Sequence, residues 1–210
     1  MLHASGASDL VRRLAAADGT GAHPFHARLT APRANARDLG DAVHALCGVH
    51  GEHPDLIEIV AASAEPSPAA AWLAQAVAGF AAERAVLAQL TAAAGPLPST
   101  PGQAQTAAAL SAERHALEML AKSERVGVGL GAAAALVLDW RAIRAILAQA
   151  ADRFGVTLPA STLPPLADTV AALDAGPAAE RAIAFGAQQL FGQHRGLLSL
   201  LEARASARGD

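Results

Sequence analysis

The chain has 210 residues, a formal charge of −3 at pH 7 and a composition that is 52% hydrophobic but only 3% aromatic, with no tyrosine. Alanine and leucine dominate, which favours helix over strand, and no basic run is present to neutralise phosphates, which argues against a nucleic-acid surface. The single Cys47 cannot form an internal disulfide, and the start MLHASGASDL lacks the cationic and apolar segments of a secretory signal, so a reducing, cytoplasmic location is expected.

In chain order, residues 7–17 suit a short helix, and 18–35 are read as irregular because Gly and Pro punctuate them. A helix is expected from near Asp38 through Ala45. It is challenged at Gly48, Gly51 and Pro54, the last of which disfavours helical angles at His53. Helix resumes from Pro54 until EPSP at 65–68, giving either one kinked helix or two. Ala69 to Ala94 forms the next, ended by a tight loop, GPLPSTPG, at 95–102. From Gln103 no proline occurs until Pro159, so this stretch is one long helix or two broken around Gly127 to Gly131. Its apolar part, Val126 to Leu138, falls short of the roughly 20 residues that span a bilayer, so no membrane partner is expected. Residues 151–177 mix turn signals with one short helical candidate, Leu166 to Leu173, and the last helix runs from about Ala178 to Ala205.

Four of these helices carry an apolar stripe at 3-4 spacing that a titratable residue interrupts. The stripes are Leu39-Val43-Leu46-His50, Leu73-Ala76-Phe80-Glu83-Leu87-Leu90, Leu110-Glu113-Leu117-Leu120 and Ile183-Ala187-Leu190-His194-Leu197-Leu201. A later stripe, Ala133-Leu136-Trp140-Ile143-Leu147, runs without interruption. Positions three and four apart share a face, so the polar groups are expected in the core, where they must be paired, hydrogen-bonded or bound to a metal. In antiparallel neighbours, residues equidistant from a turn share a depth. Glu83 and Glu113 stand about 15 residues either side of the 95–102 loop, roughly 22 Å from it, and are expected to face one another. His50 and Glu83 are likewise equidistant from EPSP. His194 follows a long irregular connection and cannot be placed by counting.

Two carboxylates and two imidazoles in one layer form a ligand set suited to a divalent ion such as iron, manganese or zinc, with His53 and His115 as second choices. The same groups would also serve a proton relay. The run Asp41, His44, Cys47, His50, His53 is rich in ligands, but steps of three drift by about 60° each on a helix, so all five cannot face one ion. Cys47 reads as a small buried thiol, and Arg141 and Arg144, just beyond Trp140, as a solvated rim or a contact for an anion or a partner.

The stripes resemble those of ferritin-like bundles, in which a Glu on each of two helices and a Glu-x-x-His on each of two others hold two metal ions. That resemblance covers roughly residues 36–205 and implies a four-helix core. It departs from the family where Glu83 is followed at the third position by Val86 and Glu113 by Ala116, and Phe191 stands three before His194. The stretches AAGPLPSTPGQAQ and ALVLDWRAIR also resemble an uncharacterised bacterial family of helical proteins, which brings no activity with it. The expectation is an all-α single domain over 1–210, a four-helix ferritin-like core with extra short helices. Its function is unknown, and it holds either a reduced metal or polar site of Glu83, Glu113, His50 and His194 or the same groups internally paired in a structural or protein-interaction bundle. A homo-oligomer and an unidentified partner protein stay open.

Overall fold

The computed structural model describes residues 7–97, 102–166 and 176–209. Among them are eight α-helices, a single 3-10 turn and no strand, so the fold is all-α. The helices are α1 (Ala7–Asp18), α2 (Pro24–Leu29), α3 (Ala36–His50), α4 (Leu56–Ala62), α5 (Pro68–Ala94), α6 (Gln103–Ala121), α7 (Val128–Phe154) and α8 (Gly176–Ala207).

Local chemistry sets most boundaries. The Asn35 side chain accepts the Arg37 N–H at 2.8 Å and opens α3. Asp55 and Glu58 form a reciprocal capping box at α4, and Ser67 followed by Pro68 opens α5. The stretch expected to be irregular at 18–35 contains the turn Thr20–Ala22 and α2. The Pro24 ring is preorganised for a first helical turn, and the His23 side chain accepts the Phe25 N–H. The two open alternatives resolve the same way: α3 and α4 are separate helices, as are α6 and α7. Gly127, with φ +96°, adopts the left-handed conformation that ends the link before α7. Half of the tight loop expected at 95–102, and almost all of the helical candidate at 166–173, lie outside the described residues.

The helix α7 lies at the centre and packs against α1, α3, α4, α5, α6 and α8. Its four successive alanines, Ala132 to Ala135, are all fully buried, as suits a helix that is apolar all round. Its closest partner is α8. A methyl group on Gly131 would strike the Ile183 carbonyl oxygen, and one on Gly186 would strike that of Val128, so both positions need a bare Cα. This tight seam compensates for the small area an alanine buries, since close approach brings backbone and Cβ atoms into dispersion contact. Trp140, Phe25, Phe80 and Phe191 fill the wider spaces. Among the described residues no helix is long and apolar enough to cross a membrane.

Candidate functional site

Trp140 on α7 stands between two buried polar groups. On one side, the T-shaped rings of His50, Phe80 and Trp140 pack together, with His50 and Trp140 centroids 5.4 Å apart. On the other, the indole N–H donates to Glu83 Oε2 at 3.1 Å.

The histidine side is a hydrogen-bonded chain. His50 closes α3, His194 sits mid-way along α8, and their Nε2 atoms are 3.1 Å apart with the rings nearly perpendicular. His194 Nδ1 lies 2.6 Å from Asp139 Oδ2 on α7. Asp139 also accepts the Thr20 hydroxyl at 2.6 Å and the Thr20 backbone N–H at 2.8 Å. A carboxylate can only accept, so His194 carries a proton on Nδ1, and one further proton bridges the two facing Nε2 atoms. Burial alone would raise the Asp139 carboxyl; the hydrogen bond and charge of His194, with the bonds from Thr20, outweigh it and hold the group below its usual range. Burial lowers His50 well below an ordinary imidazole, and the His194 charge lowers it further, so His50 is neutral near pH 7.

The glutamate side is an ion pair. Glu83 on α5 is 1% exposed and meets Arg144 Nη1 at 2.6 and 2.7 Å. The Ser161 hydroxyl adds a bond of 2.6 Å. Arg144 is therefore neither a solvated rim nor an anion contact: it is the counter-ion of Glu83 and also donates to the Pro159 carbonyl. Three donors, from Trp140, Arg144 and Ser161, converge on the one carboxylate, and the guanidinium balances its charge.

Glu113 on α6 differs. It is 9% exposed, its Oε1 has no hydrogen-bond partner, and burial raises its pKa to about 7 against a smaller downward pull from the His194 charge. Helix α6 packs on both α3 and α8, the helices that supply the two histidines.

The structure thus brings His50 and His194 into direct contact and joins Glu83 to them only through the Trp140 ring. Glu113 lies within the field of His194. The second choices fall elsewhere: His53 is 74% exposed and meets Glu58, and His115 is 71% exposed beside Glu118. The ligand-rich run of α3 diverges as its spacing requires. Asp41 pairs with Arg204 and Arg208, His44 Nε2 meets the Gly95 carbonyl at 2.7 Å, Cys47 is half-buried, and His50 alone enters the centre. Among the described residues, no three His, Cys, Asp or Glu side chains stand ready as a ligand set for a metal ion.

Sequence reasoning missed Asp139 and Thr20. A signal for Asp139 existed, because it lies three after Leu136 and four before Ile143, inside the stripe taken as unbroken. Thr20 had none, since a short turn carries no periodicity.

Beside His194 lies a cavity of about 10 Å³, walled by Thr20, Leu46, Ile143 and Leu201 among others. A larger hollow of about 600 Å³ opens between the α4–α5 turn, the α6–α7 link and the start of α8, bordered by Val60, Ser67, Arg125 and Ile183. None of the four stripe-breaking residues lines it.

Residues 15–209 match a family model described as "Family of unknown function (DUF6975)", which reaches from within α1 to beyond α8. No curated protein and no solved structure matches the chain.

Proposed function

The chain belongs to a family of unknown function, DUF6975, and we propose that it acts as a non-catalytic helical bundle, structural or protein-binding, whose central polar layer fixes how α3, α5, α7 and α8 pack. One observation carries this reading: the layer closes on itself. Thr20, Asp139, His194 and His50 hydrogen-bond to one another in sequence, and Glu83 is matched by Trp140, Arg144 and Ser161.

The space beside the chain supports it further. A cavity of about 10 Å³ accommodates one water and no organic substrate. An Ala-rich bundle has a physical need for such a layer. Methyl groups slide past one another at little cost, whereas hydrogen bonds in a low-dielectric core are satisfied at one register only. The ferritin-like four-helix core enters this reading as a likeness of plan, polar side chains projected inward from facing helices of a single domain spanning 1–210. Met119, Val126 and Phe185 are large apolar side chains that stay exposed among the described residues, and they mark where a protein partner would find hydrophobic surface.

The test is the stability of Asp139→Ala in protein freed of metal with a chelator. Removing one member of a buried charged network costs about 3–5 kcal/mol, so denaturant unfolding is expected to show a loss of that order with the helical content unchanged before the transition. Unchanged or increased stability would overturn the reading, because residues kept for chemistry rather than packing are commonly replaced at no cost to the fold.

A further inference from the structure

We propose that α6 is a pH-sensitive flap, a helix that stays docked on α3, α4, α7 and α8 while the Glu113 carboxyl is protonated and lifts from them when it ionises. The inference goes beyond the packing role above, since the layer that closes on itself contains no residue of α6.

Three observations carry it. The first is how lightly α6 is held. Of its 19 residues only Glu113, Leu117 and Ala121 are buried, whereas α7 buries 16 of 27. The stretch Gln103–Ala112 buries no side chain, and Gly102 at its start supplies no side-chain cap. Polar ties near the surface add to the hold, Arg204 to the Thr106 hydroxyl at 2.7 Å and Arg114 to Glu52. A helix draws most of its stability from the face it buries, so one with so small a face opens before the core does.

The second is the place of Glu113 on that face. Steps of four put Glu113, Leu117 and Ala121 in one line, so the carboxyl is buried only while α6 is docked. Its Oε1 has no hydrogen-bond partner. A neutral acid bears this at modest cost, but a carboxylate there is an unsolvated charge, and lifting the helix gives it water.

The third is that the charged groups of the neighbouring helices are engaged elsewhere. On α3, His50 is held neutral by burial and His44 meets the Gly95 carbonyl. On α4, Glu58 is taken by Arg84 and His53. On α7, Asp139 and Arg144 are bound to His194 and Glu83. On α6 itself, Arg114 pairs with Glu52 and Lys122 with Glu118. On α8, Arg204 pairs with Asp41, and the pull of the His194 charge on Glu113 is outweighed by burial. The docked pKa of about 7 therefore falls toward 4.5 when the helix lifts, and each pH unit between those values favours lifting about tenfold.

The experiment is native-state hydrogen exchange of the full chain, read by mass spectrometry on α6 and α7 peptides and corrected for the base dependence of intrinsic exchange. Two signs are expected. At every pH the α6 amides should open more often than those of α7 and with a much smaller urea slope, the signature of a local opening. Between about pH 5.5 and 8 the α6 opening constant should rise roughly 25-fold in the wild type and less than about 3-fold in Glu113→Gln. That variant keeps the shape and every other titratable group, so the difference belongs to Glu113. Leu117→Ala loosens the same face without touching the carboxyl, and should raise α6 opening at least about 10-fold at both ends of the range. Exchange of α6 with the opening constant and urea slope of α7 would overturn the proposal, by showing global unfolding alone. A pH response of equal size in the wild type and Glu113→Gln, or no effect of Leu117→Ala on α6, would overturn it as well.

Discussion

Glu83 and Glu113 are both buried on the inner faces of helices in the same bundle, yet they end in opposite states. Glu83 receives hydrogen bonds from three side chains, one of them a guanidinium. Glu113 has an orphaned oxygen and a pKa near 7. The two carboxylates share burial and helical position; what separates them is a cation within reach. Arg144 lies one turn along α7 from Trp140 and can extend to Glu83 while its far end stays near the surface. Near Glu113 stands His194, whose own Nδ1–H is already committed to Asp139. Burial sets the cost of a charge, and the neighbour decides whether that cost is met by pairing or by protonation.

The largest expected effect comes from making Glu83 resemble Glu113. Arg144→Ala leaves a carboxylate that is 2% exposed without its counter-ion, and unfolding by urea should show a loss of about 3–5 kcal/mol. If the loss is under about 1 kcal/mol, comparable to an exposed pair, the contrast between the two glutamates has been overdrawn.

Next in size is the pH dependence that Glu113 confers. Its folded pKa of about 7 stands above the ordinary 4.5, so between those values the folded state holds more protons than the unfolded state. Stability from this group is therefore full below about pH 4.5, declines as pH rises and is lost above about 7. The total is on the order of 3 kcal/mol at 1.36 kcal/mol per unit. Glu113→Gln should remove this slope, raising stability at pH 8 and leaving it nearly unchanged at pH 4.5. Parallel stability profiles for the two proteins between pH 4.5 and 8 would contradict the assignment.

A smaller effect tests the quality of the histidine chain. Thr20→Val removes one hydroxyl donor to a charged acceptor, and thermal and denaturant unfolding should together report a loss of about 1.5–3 kcal/mol. The smallest is a control: His115→Ala, at an exposed position, should stay within about 0.5 kcal/mol of wild type. A larger change there would mean that polar groups outside the central layer matter as much as those within it.

Much of the bundle is legible along the chain. The stripes containing His50, Glu83, Glu113 and His194 all point inward, as 3-4 spacing requires, and each of these residues is buried. The helix starts at Asn35, Asp55 and Ser67 follow from capping chemistry that acts over three residues. Turn counting was less informative about partners: it set Glu83 and Glu113 face to face, whereas α5 packs on α3, α4 and α7, and α6 on α3, α4, α7 and α8, rather than on each other. It placed His50 at the depth of Glu83 and left His194 aside, whereas His194 is the residue that His50 touches. Counting from a turn fixes a depth along neighbouring axes but carries no information about rotation around them. A histidine and a glutamate at one depth can still be separated by an indole, as His50 and Glu83 are by Trp140. Arg144 was misjudged for a related reason. Its long side chain reaches across a helix, so its place on the surface said little about where its charge would act.

By itself, then, the sequence determined the helical class, the caps and breaks, and which faces turn inward, because these depend on backbone angles and on neighbours within a turn or two. Tertiary structure alone decided which inward groups meet. The bare Cα atoms of Gly131 and Gly186 let α8 close onto α7, and that approach sets Asp139 against His194, about 55 residues apart in the chain. Such pairing depends on the relative rotation and spacing of whole helices, which is fixed by packing summed over many contacts and is written in no local stretch of residues.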